Sequence, residues 1–165
     1  FKSDDFEERE EQLSDYRLPA KKMYTGQEHE YIKEAVRELE DYVSVDWKII
    51  SAGYGMLDSD EEIVPYEATF NDSEINTRDW SEEIGIPGDF LSAVEDYDLV
   101  IVALGTEYLK GLDLRNRKIS EGPEIVFLNG KSATRELSEQ ENIERIPVGS
   151  KQQKEFGKMM IRMKG

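Results

Sequence analysis

The longest apolar run of the chain, Leu99–Leu104, restricts the possible folds more than any other segment. It is rich in β-branched residues, and Gly105 and Thr106 follow it, as is typical of a strand that ends in a turn. Because both of its faces are apolar, the run is predicted to be a central strand of a parallel sheet. It is far shorter than a membrane helix, which needs roughly 18 apolar residues.

Two other segments, Val45–Ala52 and Glu124–Leu128, are predicted to be strands of the same sheet. Helical patterns alternate with the strands, and the predicted helices span residues 27–42, 89–96 and 150–163. This alternation indicates an α/β fold. The predicted arrangement is a short, mostly parallel sheet flanked by helices, Rossmann-like and three-layered.

Length and charge patterning suggest how the chain is divided. Residues 1–15 are predicted to be an acidic N-terminal arm, and residues 16–165 a single α/β domain. Residues 53–70 are predicted to form a long ordered loop, because loops of this length in compact domains are either functional or disordered and this one is rich in apolar residues. Residues 71–80 are predicted to be polar and irregular, and residues 132–146 are predicted to be a polar connection.

The composition excludes several kinds of site. The chain has no cysteine, so disulfides, cysteine-based zinc sites and cysteine nucleophiles are excluded. Its single histidine, His29, excludes a multi-histidine metal site and is expected to be exposed at the start of the first helix. The P-loop and dinucleotide-binding patterns are missing, so we expect no metal or cofactor. With no signal-peptide pattern visible either, the expected location is the cytoplasm.

The charge is strongly unbalanced, with 37 acidic residues against 21 basic residues and a net charge of −16. A field of this sign repels phosphates and argues against tight binding of duplex DNA. Adaptation to a salty cytoplasm and a dedicated basic partner are both possible reasons for the acidity. The sequence does not determine the oligomeric state.

Three short segments lie where a helix begins or a strand ends, at residues 24–26, 51–66 and 105–108. At such places backbone N–H groups and small side chains can contact a ligand. An ordinary helix cap also explains the first segment, and a tight turn explains the second. The predicted ligand-binding residues are Tyr24, Thr25, Gly26, Ser51, Tyr54, Gly55, Pro65, Tyr66, Gly105, Thr106 and Tyr108. Because parallel strands end at the same edge of a sheet, Thr25, Ser51, Tyr54, Tyr66 and Thr106 are expected to converge in one cleft at that edge.

Taken together and in order, four pieces of the chain resemble the YaaA-type peroxide-stress family and its small uncharacterised relatives. The pieces are Met23–Gly26, Ile49–Leu57, Pro65–Tyr66 and Val102–Leu109. They are similar to "YTG", "hSxxYGhL…PY" and "hAxxxEY" segments of those relatives, where h is an apolar residue. The chain also resembles, more faintly, the glycosylase-like domain of archaeosine-type tRNA-modifying enzymes.

The likeness has one clear departure. Relatives begin with a strand that carries a small-residue and lysine motif of the "CSxxK" or "SPAK" kind, and residues 1–15 contain no match. Either that first strand precedes Phe1, or this protein lacks it. The resemblance implies a stress-related or nucleic-acid-associated role.

Three functions follow from these observations. The first is a module that binds a nucleobase- or nucleotide-like ligand, with tyrosine rings as stacking faces. The second is an enzyme that processes a nucleoside or nucleobase, for which Asp58 is the candidate general acid or base. The third is an acidic protein-interaction module. The acidic residues 58–62 would also suit a hard cation, but a solvated acidic loop is the simpler interpretation.

The net charge predicts how stability responds to salt. At pH 7 the acidic side chains repel one another, and salt screens this repulsion over a Debye length of about 10 Å at 0.1 M. The melting temperature should therefore rise between dilute buffer and molar salt. A melting temperature that is flat or falls over that range would contradict the prediction.

Overall fold

A computed structural model describes residues 4–71, 74, 76–129, 136–137 and 139–147. The chain divides into two compact units, Phe1–Thr69 (unit 1) and Phe70–Gly165 (unit 2). The predicted α/β class is confirmed, because helices and strands are mixed and one sheet of three parallel strands is present. The three-layer arrangement stays a prediction, as does the division into an arm over residues 1–15 and one domain over residues 16–165.

Unit 1 contains short helices, one longer helix and four short strands. Its elements are α1 (Asp4–Gln12), a 3₁₀ turn (Ser14–Tyr16), β1 (Leu18–Pro19), α2 (Ala20–Met23), α3 (Gln27–Leu39), β2 (Lys48–Ser51), β3 (Gly55–Asp58) and β4 (Glu62–Ile63). The predicted helix over residues 27–42 is confirmed as α3 and ends three residues early, at Leu39.

The strand predicted at Val45–Ala52 belongs to a hairpin, and its assignment to the parallel sheet is wrong. Within the described part of the chain, β2 pairs antiparallel with β3, and Ser51 lies opposite Gly55. Only three residues separate the two strands, which suits an antiparallel pair, whereas a parallel connection needs a dozen or more. Gly55 has a φ of 83°, in the left-handed region that favours glycine. The predicted loop over residues 53–70 therefore contains two strands, β3 and β4.

A second antiparallel pair, β1 with β4, contributes to the core of unit 1. Leu18 of β1 lies opposite Ile63 of β4, and the Ala20 N–H donates to the carbonyl of Glu61 at 2.8 Å. This pairing brings the start of α2 onto the hairpin. The buried residues of this core are Ala20, Ile49, Leu57 and Ile63, and Met23, Tyr24, Trp47, Tyr54 and Tyr66 pack against them.

Unit 2 contains the parallel sheet. Its elements are α4 (Thr77–Glu83), α5 (Ile86–Val94), β5 (Leu99–Val102), α6 (Thr106–Gly111), β6 (Glu124–Asn129) and β7 (Ile143–Pro147). The strand order is β5-β6-β7, and both pairings are parallel. Ile125 and Phe127 alternate along β6 and are fully buried. They form the centre of the core of this unit.

Two predictions about this sheet are wrong. The apolar run at residues 99–104 was expected to be central, but β6 is the central strand and β5 is an edge of the described sheet. Residues 132–146 were expected to be a polar connection, but they contain most of β7. Apolar composition shows that a segment can be buried on both faces and does not show which strands lie beside it. Strand β7 was not predicted, because Glu144 and Arg145 interrupt the apolar run that would indicate a buried strand.

Local signals set the helix boundaries in unit 2. The Asn76 side chain caps α4 by accepting from the Arg78 and Asp79 N–H groups at 3.2 Å and 3.3 Å, so the predicted irregular segment 71–80 ends in a helix. Helix α5 begins before the predicted residue 89, at Ile86.

The predicted helix over residues 150–163 lies outside the described residues. Among the described helices, none is long and apolar enough to span a membrane.

A matched pair of glycine substitutions tests the backbone at the start of α5. Gly85 precedes the helix with a φ of 81°, whereas Gly88 lies inside it with open space around an added Cβ. Gly85→Ala should lower the free energy of unfolding by about 1 kcal/mol, because a Cβ is strained at positive φ. Gly88→Ala should leave it unchanged or raise it by up to about 1 kcal/mol. Urea denaturation measures both, and equal effects would contradict the assignment.

Candidate functional site

The predicted site residues fall in both units. Unit 1 holds Tyr24, Thr25, Gly26, Ser51, Tyr54, Gly55, Pro65 and Tyr66, and unit 2 holds Gly105, Thr106 and Tyr108. That both groups line one cleft stays a prediction. Inside unit 1, however, several of the predicted side chains contact one another directly.

Three hydroxyl groups of unit 1 form one hydrogen-bonded row, which we call the hydroxyl cluster: Tyr24, Ser51 and Tyr66. The Tyr66 hydroxyl lies 2.5 Å from Ser51 Oγ and also hydrogen-bonds to the Tyr24 hydroxyl. The cluster joins the end of β2, the end of α2 and the segment after β4. Parallel strand ends were expected to gather these residues, but the hairpin turn and the β1–β4 pair do so instead.

Ser51 is the buried end of this row, with 1% of its surface exposed. Its Oγ accepts from the N–H groups of Gly53 at 3.2 Å and Tyr54 at 3.0 Å. A serine hydroxyl has two acceptor sites and one donor, so both acceptor sites are filled by the turn. Two N–H donors of the turn and the Tyr66 hydroxyl thus surround the Ser51 oxygen and hold it in place.

Gly53 lies directly against the ring of Tyr66. A Cβ at Gly53 would lie 2.7 Å from Cδ2 and Cε2 of Tyr66, which is closer than real contacts allow. The small residues after β2 were expected to let a ligand approach the backbone. At Gly53 it is the Tyr66 ring that makes this approach, so the turn and the ring fit as one unit.

Tyr54 continues the aromatic packing and links it to α1. Its ring lies edge-on to the Tyr66 ring, with 5.1 Å between centroids. Its hydroxyl donates to Glu10 Oε1 at 3.2 Å and accepts from the Val64 N–H at 3.3 Å. Burial raises the pKa of Tyr54 to about 12, the Val64 N–H opposes this rise, and the negative charge of Glu10 adds to it.

The remaining predicted residues of unit 1 lie around the cluster. Gly26 is the N-cap of α3, and both Thr25 and Gly26 are exposed. Pro65 is exposed beside Tyr66, and Gly55 is buried in the hairpin turn. These positions fit an ordinary helix start and a tight turn, and their ligand-binding role stays a prediction.

In unit 2 the predicted residues lie at the start of α6, after β5. Gly105 is the N-cap, Thr106 is exposed, and the half-buried Tyr108 ring packs edge-on against Phe70 with 5.0 Å between centroids. Glu107 accepts from Lys110 Nζ at 2.8 Å. The position after a parallel strand agrees with the expectation for α/β sheets.

The candidate catalytic residue, Asp58, lies at the other end of the hairpin from Ser51. Its side chain is 70% exposed, and Oδ1 lies 2.5 Å from Lys48 Nζ. Its role as an acid or base stays a prediction. Within the described residues, no group of three His, Asp or Glu side chains could hold a metal ion.

His29 was expected to be simply exposed, which is wrong. It is half-buried, its Nε2 lies 2.9 Å from the carbonyl oxygen of Lys21, and its ring lies 4.9 Å from Trp47 and 5.7 Å from Tyr24. Successive ring contacts thus join five side chains, which we call the aromatic row: Trp47, His29, Tyr24, Tyr66 and Tyr54. No local signal in the sequence predicts this contact, because it depends on α3 lying against β2.

The aromatic row reaches a surface cleft of about 970 Å³ between α3 and the β2–β3 hairpin. Trp47 lines this cleft together with charged side chains of both signs, among them Lys33, Arg37, Lys48 and Asp58. The hydroxyl cluster is not part of this lining. The cleft and the cluster are thus separate features of unit 1, connected through His29.

Comparison with known proteins shows the family. The chain belongs to a family of unknown function, DUF6884, whose family model matches residues 10–143. The match covers the hydroxyl cluster and the strands β5 and β6, and it ends at Ile143, the first residue of β7. No curated protein matches the chain, and no solved structure matches it. The likeness to the YaaA-type family stays a prediction.

The raised pKa of Tyr54 predicts how stability depends on alkaline pH. Below the ordinary pKa of 10.0 the hydroxyl is protonated in both the folded and the unfolded chain, and its contribution to stability is fully present. Between pH 10 and about 12 the unfolded chain releases this proton while the folded chain keeps it, so the contribution is lost as the pH rises.

Urea denaturation at a series of alkaline pH values measures this effect. The difference in the free energy of unfolding between the wild type and Tyr54→Phe should fall over this range. Tyr16→Phe is the control, because the Tyr16 side chain is 64% exposed. A difference for Tyr54→Phe that stays constant with pH would show that its hydroxyl is not the group responsible.

Proposed function

We propose that unit 1 binds a nucleobase or nucleoside at the hydroxyl cluster. The observation that carries the proposal is the hydrogen-bonded row of Tyr24, Tyr66 and Ser51, three hydroxyls from distant parts of the sequence. The row is partly buried, and it adjoins the aromatic row described above. Hydroxyls beside aromatic rings suit a planar, polar ligand.

The chemistry of the cluster favours an uncharged heterocycle. A hydroxyl both donates and accepts, so it can match either kind of group on the edge of a base. Aromatic rings provide stacking faces that tolerate different bases, at about 1–3 kcal/mol for each stacked base. The net charge of −16 makes a polyphosphate a poor ligand, because its charge is repelled.

The proposed role is in stress response or nucleic-acid metabolism, and it rests on the resemblance to the YaaA-type family. An enzyme that processes nucleosides is the alternative that this site admits. Such an enzyme needs a general acid or base close to the reacting atom. Asp58 is its candidate, but Asp58 pairs with Lys48 at the far end of the hairpin. Binding is therefore the function that the contacts support best.

A thermal-shift series with nucleobases, nucleosides and nucleotides tests the proposal. A ligand that binds only the folded chain adds about 2.7 kcal/mol of stability at a concentration 100 times its Kd. Nucleobases and nucleosides should raise the melting temperature, and nucleotides should raise it less. The quantity to compare is the ligand-induced shift, because variants change the melting temperature itself.

Hydroxyl removals locate the site. Tyr66→Phe and Ser51→Ala should each reduce the ligand-induced shift, by the equivalent of about 1 kcal/mol for each lost hydrogen bond. Tyr16→Phe removes the same group at an exposed position outside the cluster and should leave the shift unchanged. No shift with any compound would contradict the proposal and favour an acidic protein-interaction module. Turnover of a labelled nucleoside would favour the enzyme.

A further inference from the structure

Helix α1 (Asp4–Gln12) is poorly suited to be a helix on its own. It has nine residues, and isolated helices shorter than about 12–15 residues are marginal in water. Glu7 carries the same charge as Glu10 and Glu11, three and four residues further on, and such like-charge pairs destabilise a helix. Glu10 and Glu11 also lie near the C-terminal end, where the helix dipole disfavours negative charge. The helix therefore depends on contacts with the rest of unit 1.

Glu10 makes the polar contacts that hold α1 against unit 1. Its Oε1 accepts from the Tyr54 hydroxyl at 3.2 Å, and its Oε2 lies 3.8 Å from the Arg17 guanidinium. Among residues 7–12, whose side chains the structure describes, no other side chain forms a hydrogen bond or ion pair with another described element. Glu10 is half-buried, and the other residues of this stretch are exposed. One carboxylate thus connects the helix to unit 1.

This carboxylate contacts the proposed binding site. The Tyr54 ring lies edge-on to the Tyr66 ring, whose hydroxyl belongs to the hydroxyl cluster. The Tyr54 hydroxyl accepts from the Val64 N–H and donates to Glu10. A phenol hydroxyl has a single hydrogen, so the hydrogen that Tyr54 could donate to a ligand is already bound by Glu10. A ligand that accepts from this hydroxyl has to displace Glu10.

We propose that α1 is a lid on the site of unit 1, and that the hydrogen bond between Glu10 and Tyr54 is its latch. The proposal rests on the ligand binding proposed above and describes how that binding is regulated. A ligand that accepts the Tyr54 hydrogen releases Glu10, and α1 then opens because it is not stable as a separate helix. Opening uses part of the binding free energy, so the closed latch lowers the apparent affinity.

The composition of the lid favours the same ligand class as the site. Residues 4–12 contain six acidic residues and one basic residue. A phosphate group that approaches the Tyr54 hydroxyl meets the negative field of this segment and is repelled. An uncharged nucleobase or nucleoside is not repelled. The lid therefore adds to the preference for nucleosides over nucleotides.

Amide hydrogen exchange at short labelling times tests the latch without any ligand. In Glu10→Ala the amides of residues 7–13 should exchange roughly tenfold faster than in the wild type, because a hydrogen bond to a charged group is lost. Glu11→Ala is the matched control, since it removes the same charge from an exposed position of the same helix and should not speed the exchange. The amides of α3 should be unchanged in both variants, which shows that unit 1 stays folded.

A double-mutant cycle tests whether Glu10 acts through Tyr54. Tyr54→Phe removes the other partner of the latch and should speed the exchange of residues 7–13 by a similar factor. The double variant should exchange no faster than Glu10→Ala, because both substitutions remove one and the same interaction. Additive effects of the two substitutions would show that there is no latch between these side chains.

Titration with adenosine, guanosine, cytidine and uridine tests the lid. Glu10→Ala should bind the nucleoside that the wild type binds with a Kd lower by about threefold or more, because no latch has to be broken. Glu11→Ala should bind it as the wild type does, and Tyr66→Phe should bind it more weakly. Calorimetry measures all four dissociation constants.

The outcomes separate the lid from the proposed ligand. Faster exchange in Glu10→Ala, absent from Glu11→Ala, together with tighter nucleoside binding supports the lid. Unchanged exchange in Glu10→Ala overturns it, whatever binds. Weaker nucleoside binding by Glu10→Ala also overturns it, because Glu10 is then part of the binding surface. Faster exchange without nucleoside binding by any variant supports the latch and contradicts the ligand proposed for unit 1.

Discussion

The hydrogen bonds of the Tyr66 hydroxyl are the interactions on which the arrangement of unit 1 depends. It hydrogen-bonds to Ser51 and to Tyr24, while the ring beneath it lies on Gly53. One side chain thereby joins the hairpin turn, the chain before α3 and the segment after β4. A neutral hydrogen bond adds only about 1 kcal/mol, but a buried partner left unsatisfied costs about 1–3 kcal/mol. These residues therefore depend on one another, and none can change alone without loss.

This mutual dependence bears on the proposed ligand. The cluster hydroxyls already hydrogen-bond to one another, so a ligand that contacts them exchanges one set of bonds for another and gains little from each exchange. Stacking against the aromatic row is then the larger contribution to affinity. In return, the turn holds Ser51 in one orientation before any ligand arrives, which lowers the ordering cost of binding.

In the described part of unit 2, three arginines form ion pairs with acidic residues of the same unit. The nearly buried Glu136 accepts from Arg78 at 2.5 Å and from Arg115 at 3.3 Å, and Arg117 contacts Glu82 at 2.6 Å. Removing both of its arginines would leave the buried carboxylate of Glu136 without a compensating charge. Guanidinium groups bound in this way are poorly placed to hold phosphates. Their pairing agrees with the net charge in favouring an uncharged ligand.

The sequence by itself determined the elements whose signal is local. The apolar spacing of α3 and the β-branched runs of β5 and β6 predicted three elements close to their observed bounds, because periodicity reflects which face of a segment is buried. The segments that carry Ser51, Tyr54 and Tyr66 were also singled out, by their position at strand ends and by a family resemblance. The reason given for their meeting, a shared parallel edge, was wrong.

The tertiary structure decided which segments meet. The hairpin pairing of β2, the edge position of β5 and the strand β7 depend on neighbours that no local pattern specifies. The same holds for His29, which packs on Trp47 although 17 residues lie between them in the printed sequence. Burial on a face can be predicted from residue spacing because it follows from helix and strand geometry. Which strands and helices lie side by side follows from contacts between residues that are distant in the sequence, and these contacts form only when the whole chain packs.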